Sequence, residues 1–340
     1  MKASVYHEYG PPEVLHSAEV KEPKVGTNDV LIRVRAVCVN YGDITARNFS
    51  NIPANQFNMP LVLWIPAKLA FGLRKPRNPI LGSEFAGDVV AVGSDVKKFR
   101  VGNRVFGYRG MKMGACAEYL SMPEKGMLGI MPENMTHEEA ATVPYGGIMS
   151  LSLLRKAPVV SGQKVLIIGA SGGIGSIALQ LARHYGATVT GVCGTQRLDY
   201  VRALGADRVI DYTADDYTQT GERYDLIVDV LGRSDFMKCK GSLTDEGRYL
   251  SVSFKTGKLL QMLRTSMSSG KKLICALAGE DPGDLLFLKE LAESGHVRSI
   301  IDKCFPLEEA AAAHRYVEEG RKKGSVVLTV GPSSAEQPAS

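Results

Sequence analysis

Hydrophobic and polar residues follow different patterns in the two parts of the chain. Residues 1–125 hold short alternating runs, such as 30–39 and 87–92, separated by Gly, Pro, Asn and Asp. Alternation with a period of two predicts half-buried strands, and dense glycines between Gly82 and Gly114 favour the tight corners of a small barrel. This part is therefore predicted to be a β-rich domain.

From residue 161 onward, apolar runs alternate with helical patterns. Nearly continuous apolar strands, each followed by a turn and a helix, predict a parallel sheet that helices cover on both faces. Strands are predicted at 164–168, 188–192, 208–210, 226–230, 249–252 and 272–278. Helices are predicted at 174–185, 197–204 and 284–294. The fold class is therefore predicted to be α/β.

After residue 295 the chain is predicted to return to the first domain, with a helix at 307–319 and a strand at 325–330. The predicted boundaries are 1–125 with 296–330 for the β-rich domain, 126–295 for the parallel-sheet domain, and 331–340 for a disordered tail.

Residues 164–185, KVLIIGASGGIGSIALQLARHY, are the most informative segment. A strand runs directly into a glycine-rich turn that opens an amphipathic helix, and a second strand follows. Glycines let the backbone approach a pyrophosphate, and the helix N-terminus offers free N–H groups. The residues predicted to bind a dinucleotide are Ala170, Ser171, Gly172, Gly173, Ile174 and Gly175. The alternative is a glycine-rich turn in some other α/β protein.

The end of the second strand indicates which dinucleotide binds. A carboxylate here would hold the ribose 2′-hydroxyl of NAD, but the sequence VCGTQR has no acid before Asp199. Thr195 and Arg197 are instead suited to donate to a 2′-phosphate, because guanidinium pairs well with phosphate oxygens. NADPH is therefore the predicted cofactor. The alternative is that Arg197 is a solvated residue of the next helix.

Charge and cysteine content exclude several other classes of protein. The 340 residues hold 41 Lys and Arg against 36 Asp and Glu, a net charge of +5 with no basic block, so nucleic acid is not an expected partner. Six cysteines without a CxxC pair predict reduced thiols rather than disulfides or structural zinc.

With no signal-like N-terminus, a cytoplasmic location is expected. The apolar run 61–73 contains Pro66 and Lys68 and is too short to span a bilayer, so no stable membrane insertion is expected.

Several motifs together resemble a known family. They are KASVYHEYGPPEVL near the start, VNYGD at 39–43, ILGSEFAG at 80–87, VGNRVFG at 101–107, VPYGG at 143–147, the ASGGIG turn, LGADRVIDY at 204–212 and GSVVL at 324–328. On these motifs, residues 1–330 resemble the zinc-independent, quinone oxidoreductase-like branch of the medium-chain dehydrogenase/reductase superfamily.

The resemblance implies a GroES-like β-barrel catalytic domain and a Rossmann doubly wound domain, with the active site in the cleft between them. Zinc alcohol dehydrogenases of the superfamily bind catalytic metal through a cysteine, a histidine and a further cysteine. Alignment of the motifs puts Asn40, Ser83 and Tyr145 at those positions. None is a good ligand for Zn²⁺, which prefers thiolate and imidazole, so no metal is expected.

Without a metal, the expected reaction is hydride transfer from NADPH to a quinone or to the β-carbon of an enone. Asn40 and Tyr145 are the candidate catalytic residues, as hydrogen-bond donors to the growing enolate oxygen. The alternatives are that Asn40 bonds its own turn, that Tyr145 packs on the cofactor without donating, and that water supplies the proton.

The resemblance adds four further cofactor-binding residues. It places Tyr212 against the adenosine phosphate, and Leu231, Ser251 and Ser253 beside the nicotinamide and ribose, at carboxyl ends of parallel strands.

Residues 49–79 form an unusually long insert with the only tryptophan, Trp64. One prediction is that it forms a lid or a hydrophobic wall of the pocket for a small hydrophobic quinone or enone. The alternatives are a dimer contact, a contact with a membrane surface, or an extra packed helix. The apolar strand 272–278 is expected at a sheet edge and predicts a homodimer.

The leading hypothesis is therefore an NADPH-dependent, zinc-independent oxidoreductase acting on quinones or α,β-unsaturated carbonyls. Two alternatives stay open: an NADPH-binding sensor or interaction protein with little turnover, and a zinc-type alcohol dehydrogenase with atypical ligands.

Overall fold

A computed structural model of the chain describes residues 1–57, 60–232, 234–253, 255–276, 279–320 and 322–331. The tail predicted at 331–340 lies, apart from Gly331, outside these residues. Two large sheets, one mixed and one parallel, confirm the predicted α/β class.

The first part of the chain is β-rich, as its alternating pattern predicts. Its strands are β1 (Lys2–Val5), β2 (His16–Glu19), β3 (Asp29–Cys38), β4 (Glu84–Val92), β5 (Arg104–Tyr108), β6 (Tyr119–Pro123) and β7 (Leu128–Ile130). Four helices follow or interrupt them: α1 (Tyr41–Arg47), α2 (Trp64–Phe71), α3 (His137–Ala140) and α4 (Pro144–Lys156). The long strand β3 pairs antiparallel with both β4 and β6 and lies at the centre of this part.

The second part alternates strands with helices. Its elements are β8 (Lys164–Ile168), α5 (Gly173–His184), β9 (Thr188–Cys193), α6 (Leu198–Ala203), β10 (Arg208–Asp211), β11 (Tyr224–Asp229), α7 (Phe236–Cys239), β12 (Leu243–Ser251), α8 (Thr256–Ser266), β13 (Lys272–Cys275) and α9 (Gly283–Glu293). The parallel strands run in the order β10-β9-β8-β11-β12-β13, which is the Rossmann order with its crevice between β8 and β11.

The end of the chain returns to the first sheet. Strand β14 (Ile301–Pro306), helix α10 (Ala310–Glu318) and strand β15 (Ser325–Thr329) complete the fold, and β15 pairs antiparallel with β3. The exact domain boundaries stay a prediction, but this pairing joins 301–329 to the β-rich part in space.

Both sheets pack on apolar cores, and one of these cores contains residues of both sheets. Inward side chains of the first sheet, such as Val34, Phe85 and Leu328, pack in one cluster, and those of β8, β9 and α5 pack in another. Burial of apolar surface at about 25 cal/mol per Å² drives both assemblies. The second cluster also contains Ala86 of β4 and Ile148 of α4, so it joins the two parts of the chain.

Several predicted elements have different bounds, among them β4, which begins at Glu84 rather than 87. Strand β12 begins at Leu243 rather than 249: Leu243 pairs with Tyr224 of β11, and regular pairing with β11 resumes at Arg248 after a register shift. Strand β13 ends at Cys275, and 277–278 lie outside the described residues. The last helix, predicted from 307, begins with a 3₁₀ turn, so that α10 starts at Ala310.

Candidate active site

A buried polar cluster lies where β3 ends and α1 begins. Asn40 is the N-cap of α1, and its Oδ1 accepts hydrogen bonds from the backbone N–H groups of Gly42 (2.8 Å) and Asp43 (3.2 Å). The Asp43 carboxylate accepts from the Asn40 backbone in return, which completes a capping box. The sequence therefore fixes the Asn40 side chain locally, through the helix that it starts.

The amide of Asn40 also connects α1 to the start of β4. Its Nδ2 donates to Ser83 Oγ (2.7 Å) and to Glu84 Oε1 (3.1 Å), and Glu84 Oε2 accepts from the backbone N–H of Tyr145 (3.0 Å). Asn40, Ser83 and Tyr145, which are 43 to 105 positions apart in the sequence, thus meet at one site around Glu84.

Both Asn40 amide hydrogens are engaged in these bonds. The arrangement is the one expected if Asn40 holds its own turn, so a direct bond from Asn40 to a substrate requires the Ser83 or Glu84 contact to break. The catalytic role of Asn40 stays a prediction. Its structural role is to hold three segments together.

Two buried carboxyl groups set the electrostatics of the site. Burial raises the pKa of Asp43 to about 7, against backbone hydrogen bonds from Asn40, Gly82 and Ser83 that lower it. Burial also raises the pKa of Glu84 to about 7, and the nearby Asp43 carboxylate adds to that shift. Removal from water disfavours the charged form, so both groups titrate near neutral pH.

A buried thiol completes the cluster. Cys38, at the end of β3, contacts the Glu84 carboxyl, and burial raises its pKa well above the usual range. The thiol therefore stays protonated and is a poor metal ligand. Cys38 and Glu84 were not among the predicted catalytic residues. Cys38 lies two residues before Asn40, and Glu84 follows Ser83 directly. Both are buried by long-range packing, which no local sequence pattern predicts.

Tyr145 lies between this cluster and the glycine-rich turn. It is the second residue of α4, and burial raises the pKa of its phenol, which therefore stays protonated at neutral pH. Its ring lies 5.8 Å from that of Tyr108, and its Cδ1 is 3.9 Å from the point where a Gly173 Cβ would stand. Of the two candidate catalytic residues, Tyr145 is the one that borders the predicted cofactor site.

The turn between β8 and α5 has the form that a dinucleotide needs. Gly169 adopts a φ of +85°, and a Cβ on Gly175 would stand 2.2 Å from the Gly169 carbonyl oxygen. Only glycine allows this approach of helix to strand. The N-cap, Gly172, makes no side-chain capping bond, so the first N–H groups of α5 stay available to an anion.

The other predicted residues lie in the same turn, 169–175, which we call the glycine cradle. Ala170 is buried, and its backbone N–H donates to the Val192 carbonyl of β9 (3.1 Å). Ser171 is half-buried, and the Ile174 carbonyl accepts from the Ser150 hydroxyl (2.8 Å). These two bonds hold the turn against strand β9 and helix α4.

Polar groups cluster at the end of β9, where the ribose phosphate is expected. The Thr195 hydroxyl bonds Asp211 Oδ2 and Thr213 Oγ1, and the ring of Tyr212 lies beside the Gly194 backbone, largely exposed. Asp211 is an acid beside the expected phosphate that sequence reasoning missed.

Arg197 reaches across to the returning C-terminal segment. Its guanidinium donates to the carbonyl oxygens of Gly320 and of Lys322 (3.0 Å to Nε for the latter). A guanidinium has five N–H donors, so those bonds leave others for a 2′-phosphate. Its phosphate-binding role stays a prediction, and its observed role is to hold 320–322 near the predicted cofactor site.

The predicted nicotinamide-side residues lie at the ends of β11 and β12. Leu231 is partly exposed just beyond β11, and Ser251 and Ser253 are fully buried. Ser251 Oγ accepts from the Ser253 N–H (3.2 Å) and the Lys258 ammonium (3.1 Å). Among the described residues Ser253 Oγ has no hydrogen-bond partner, so a buried hydroxyl in this crevice is left for a ligand.

A second network, absent from the sequence interpretation, orders this loop. The buried Asp229 carboxylate accepts from the N–H groups of Gly232 (2.9 Å) and Ser234 (2.9 Å) and from the Tyr249 hydroxyl (2.9 Å). Lys258, from α8, donates to the carbonyl of Gly232 (3.2 Å). The loop after β11 is thus held from both sides, which orients Leu231.

The donor set does not fit zinc. The three positions that carry ligands in the zinc-dependent relatives hold an amide, a hydroxyl and a phenol, and the nearby Cys38 thiol is kept protonated by burial. In the part of the chain that the structure describes, no three His, Cys, Asp or Glu side chains are grouped as metal ligands. The glycine cradle and the orphaned Ser253 hydroxyl, in contrast, fit a dinucleotide.

Comparison with known proteins identifies the fold and the family. The family model of the alcohol dehydrogenase GroES-like domain matches residues 26–147, and that of the zinc-binding dehydrogenases matches 204–328. The quinone oxidoreductase structure from Coxiella burnetii superposes with a TM-score of 0.81 at 27% identity, covering 97% of this chain and 99% of that one. The GroES-like and Rossmann domains expected from the motifs are thereby confirmed.

Two curated relatives match over nearly the whole chain. The human mitochondrial NAD(P)H oxidoreductase RTN4IP1 is 30% identical, over 97% of this chain and 89% of that protein. The chloroplastic NADPH-dependent alkenal/one oxidoreductase of Arabidopsis thaliana is 29% identical, over 96% of this chain and 79% of that protein. The chain therefore belongs to the medium-chain dehydrogenase/reductase superfamily, in its quinone oxidoreductase-like branch.

Proposed function

We propose that the protein is an NADPH-dependent reductase of quinones or α,β-unsaturated carbonyls that works without zinc. The observation that carries this proposal is that Asn40, Ser83 and the backbone of Tyr145 meet around the buried Glu84, at the positions where the resemblance places the zinc ligands of alcohol dehydrogenases. Non-ligating side chains there favour a reaction that needs hydrogen-bond donors rather than a Lewis acid. The family model that mentions zinc, at 204–328, covers none of the three positions.

NADPH, when bound, supplies the hydride. The glycine-rich turn and the N-terminus of α5 would hold the pyrophosphate, and Thr195 and Arg197 would bind the 2′-phosphate. A reducible carbonyl bound beside the nicotinamide would be within reach of Tyr145, whose ring borders Gly173. As hydride adds to the acceptor, negative charge develops on its oxygen, and a protonated phenol there stabilises that charge.

Asn40 supports the reaction indirectly in this proposal. It bonds Ser83 and Glu84, and Glu84 in turn holds the backbone of Tyr145. A shift of Asn40 would therefore move Tyr145 relative to the cradle. Asn40 is a positioning residue unless its amide changes partners when substrate binds.

The first experiment is NADPH oxidation against a panel of acceptors, with and without chelator. The panel holds a naphthoquinone, phenanthrenequinone, a long-chain enal and a saturated aldehyde, and an alcohol is tested in reverse with NADP. Turnover of quinone or enal alone, unchanged by chelator, is the expected result. Chelator-sensitive alcohol oxidation with stoichiometric bound zinc would refute it, and measurable NADPH binding without any turnover would favour a sensor or interaction protein.

The role of Tyr145 is tested by Tyr145→Phe, with Tyr108→Phe as the matched control. Loss of a donor to a developing oxyanion lowers kcat by about 100-fold, while KM for NADPH stays within about two-fold because the ring is retained. Tyr108→Phe removes a neighbouring buried phenol and is expected to change kcat little. Equal kcat values for Tyr145→Phe and the parent protein would assign proton donation to water.

The proposal includes a homodimer in the cytoplasm. Strand β13 lies at the end of the parallel sheet, and an edge strand is a common site of pairing with a second copy. All six cysteines are free thiols, as in proteins of reducing compartments. Light scattering on a sizing column tests the dimer, and a monomer at all concentrations would refute it.

In the described part of the chain, no helix is long and apolar enough to cross a membrane.

A further inference from the structure

The insert at 49–79 forms a helix with two apolar faces, of which the protein covers only one. The inner face of α2 packs through Trp64 and Phe71 on the buried Phe49, with ring centroids 5.0 Å and 4.4 Å apart. Tyr9 fixes the end of the helix by donating to the Phe71 carbonyl (2.9 Å). The helix is therefore anchored on the catalytic domain rather than loosely attached.

The opposite face of α2 is apolar and exposed. We define the outer face as Ile65 and Leu69 of α2 together with the flanking Val62, Leu63 and Leu73, which expose between 43% and 76% of their surface. Ile65 and Leu69 are one helical turn apart, and no residue of α2 is buried. A helix that is apolar all round is normally enclosed by protein or lipid, so this face lacks the partner that its composition predicts.

The charged residues of the insert itself are all positive. The whole segment 49–79 holds four basic residues and no acid, although 36 of the 340 residues of the chain are acidic. Three of the four follow α2 directly as an exposed basic turn, defined as Arg74, Lys75 and Arg77. None of these three makes an ion pair with the residues that the structure describes.

We propose that the outer face and the basic turn form a docking surface for an anionic lipid bilayer. Exposed Leu and Ile beside Lys and Arg is the composition of helices that lie in a membrane interface, with apolar side chains among the acyl chains and cations at the headgroups. A second copy of this chain fits less well, because a two-fold contact would bring two sets of positive charges together.

This surface lies close in sequence to the candidate site. The segment begins two residues after α1, whose N-cap is Asn40, and ends three residues before Gly82, which bonds Asp43. Docking there would keep the catalytic domain at the lipid surface, where hydrophobic quinones dissolve. The lipid-binding proposal does not depend on the proposed reaction, because binding is measured without turnover.

The experiment measures binding of the full chain to vesicles of phosphatidylcholine alone and of phosphatidylcholine mixed with phosphatidylglycerol. Co-sedimentation gives the partition constant. Trp64 is the only tryptophan of the chain, so quenching of its fluorescence by brominated lipids reports contact at α2 itself. Binding to the anionic vesicles only, with quenching, and release by high salt are expected.

Two variants test the two halves of the surface. Arg74→Gln/Lys75→Gln/Arg77→Gln is expected to weaken binding to anionic vesicles about 100-fold, at about five-fold per basic residue. Ile65→Ser/Leu69→Ser is expected to weaken binding at least about 10-fold and to abolish quenching of Trp64. All five positions are exposed, so thermal stability should not change.

Matched variants elsewhere on the surface are the controls. Lys21→Gln/Lys24→Gln/Arg100→Gln removes the same charge, and Val160→Ser/Leu286→Ser removes exposed apolar side chains outside the insert. The proposal is overturned if anionic vesicles do not bind the chain, or if the controls weaken binding as much as the insert variants. It is also overturned if the outer face holds a dimer together, which light scattering would show as a monomer for Ile65→Ser/Leu69→Ser alone.

Discussion

Substitution of Glu84 by glutamine should change how stability depends on pH. Glu84 is 2% exposed and connects the Asn40 amide to the backbone of Tyr145. Burial raises its pKa from 4.5 to about 7. Glutamine has nearly the same size and does not titrate, so Glu84→Gln removes the proton equilibrium while most of the packing stays.

The sign follows from which state holds the proton. Between the unfolded pKa of 4.5 and the folded value of about 7, the folded protein retains a proton that the unfolded chain has lost. The free energy of unfolding therefore falls as pH rises through this window and levels off above it. At about 1.4 kcal/mol per pKa unit, Glu84 costs the protein about 2–3 kcal/mol of stability between about pH 5 and about pH 8.

Urea unfolding of both proteins at several pH values measures this difference. The stability of the parent protein minus that of Glu84→Gln should fall by about 2–3 kcal/mol between about pH 5 and about pH 8. Asp43 still titrates in the variant, with a lower pKa because the neighbouring negative charge is gone. The exposed Glu246→Gln is the control and should leave the difference flat.

A parallel pair of curves for the parent protein and Glu84→Gln would refute this reasoning. It would mean that Glu84 is ionised at all these pH values, stabilised by its hydrogen bonds more than it is destabilised by burial. An opposite slope would mean that a nearby cation dominates. Lys322 is the candidate, because its ammonium is close enough to interact with the Glu84 charge.

Three further predictions concern the cofactor site and the core. Gly175→Ala puts a Cβ 2.2 Å from the Gly169 carbonyl oxygen, so the turn must shift, and NADPH affinity measured by fluorescence titration should fall at least about 100-fold. Arg197→Met should raise the Kd of NADPH about 10- to 100-fold, the value of a charged hydrogen bond, and change the Kd of NADH much less; equal losses for both cofactors would contradict a 2′-phosphate role. Arg47→Met removes a fully buried guanidinium that pairs with Glu318 and should lower the free energy of unfolding by about 3 kcal/mol in urea titration, whereas a loss below about 1 kcal/mol would show that the pair contributes little.

The Rossmann unit is the part of the fold that the sequence predicts best. Residues 164–192 form strand, turn, helix and strand within two residues of the predicted bounds. All of the information is contiguous there: the apolar run buries the strand, the amphipathic period fixes the face of α5, and glycine is required where Gly175 meets Gly169. The end of β12 was predicted equally well but its beginning was not, since 243–248 carries charged residues and only Leu243 and Arg248 of this stretch pair with β11.

The catalytic cluster shows what local sequence motifs cannot predict. The motifs pointed to Asn40 and Tyr145, but not to Glu84 as the group that joins them or to Cys38 beside it. Charge and hydrogen-bonding capacity are properties of single residues, whereas the pKa of a carboxyl depends on how much water surrounds it. That is decided by the packing of β3, β4 and α4, which come from distant parts of the chain.

The same distinction applies to the whole protein. The sequence by itself determined the strands and the helix of the Rossmann unit and where a dinucleotide phosphate can approach the backbone, because both follow from residues that are neighbours along the chain. Only the tertiary structure decided that Asn40 commits both amide hydrogens, that Arg197 also holds 320–322, and that one apolar face of α2 is left exposed. A periodic pattern states which face of an element avoids water, but long-range packing determines what covers it.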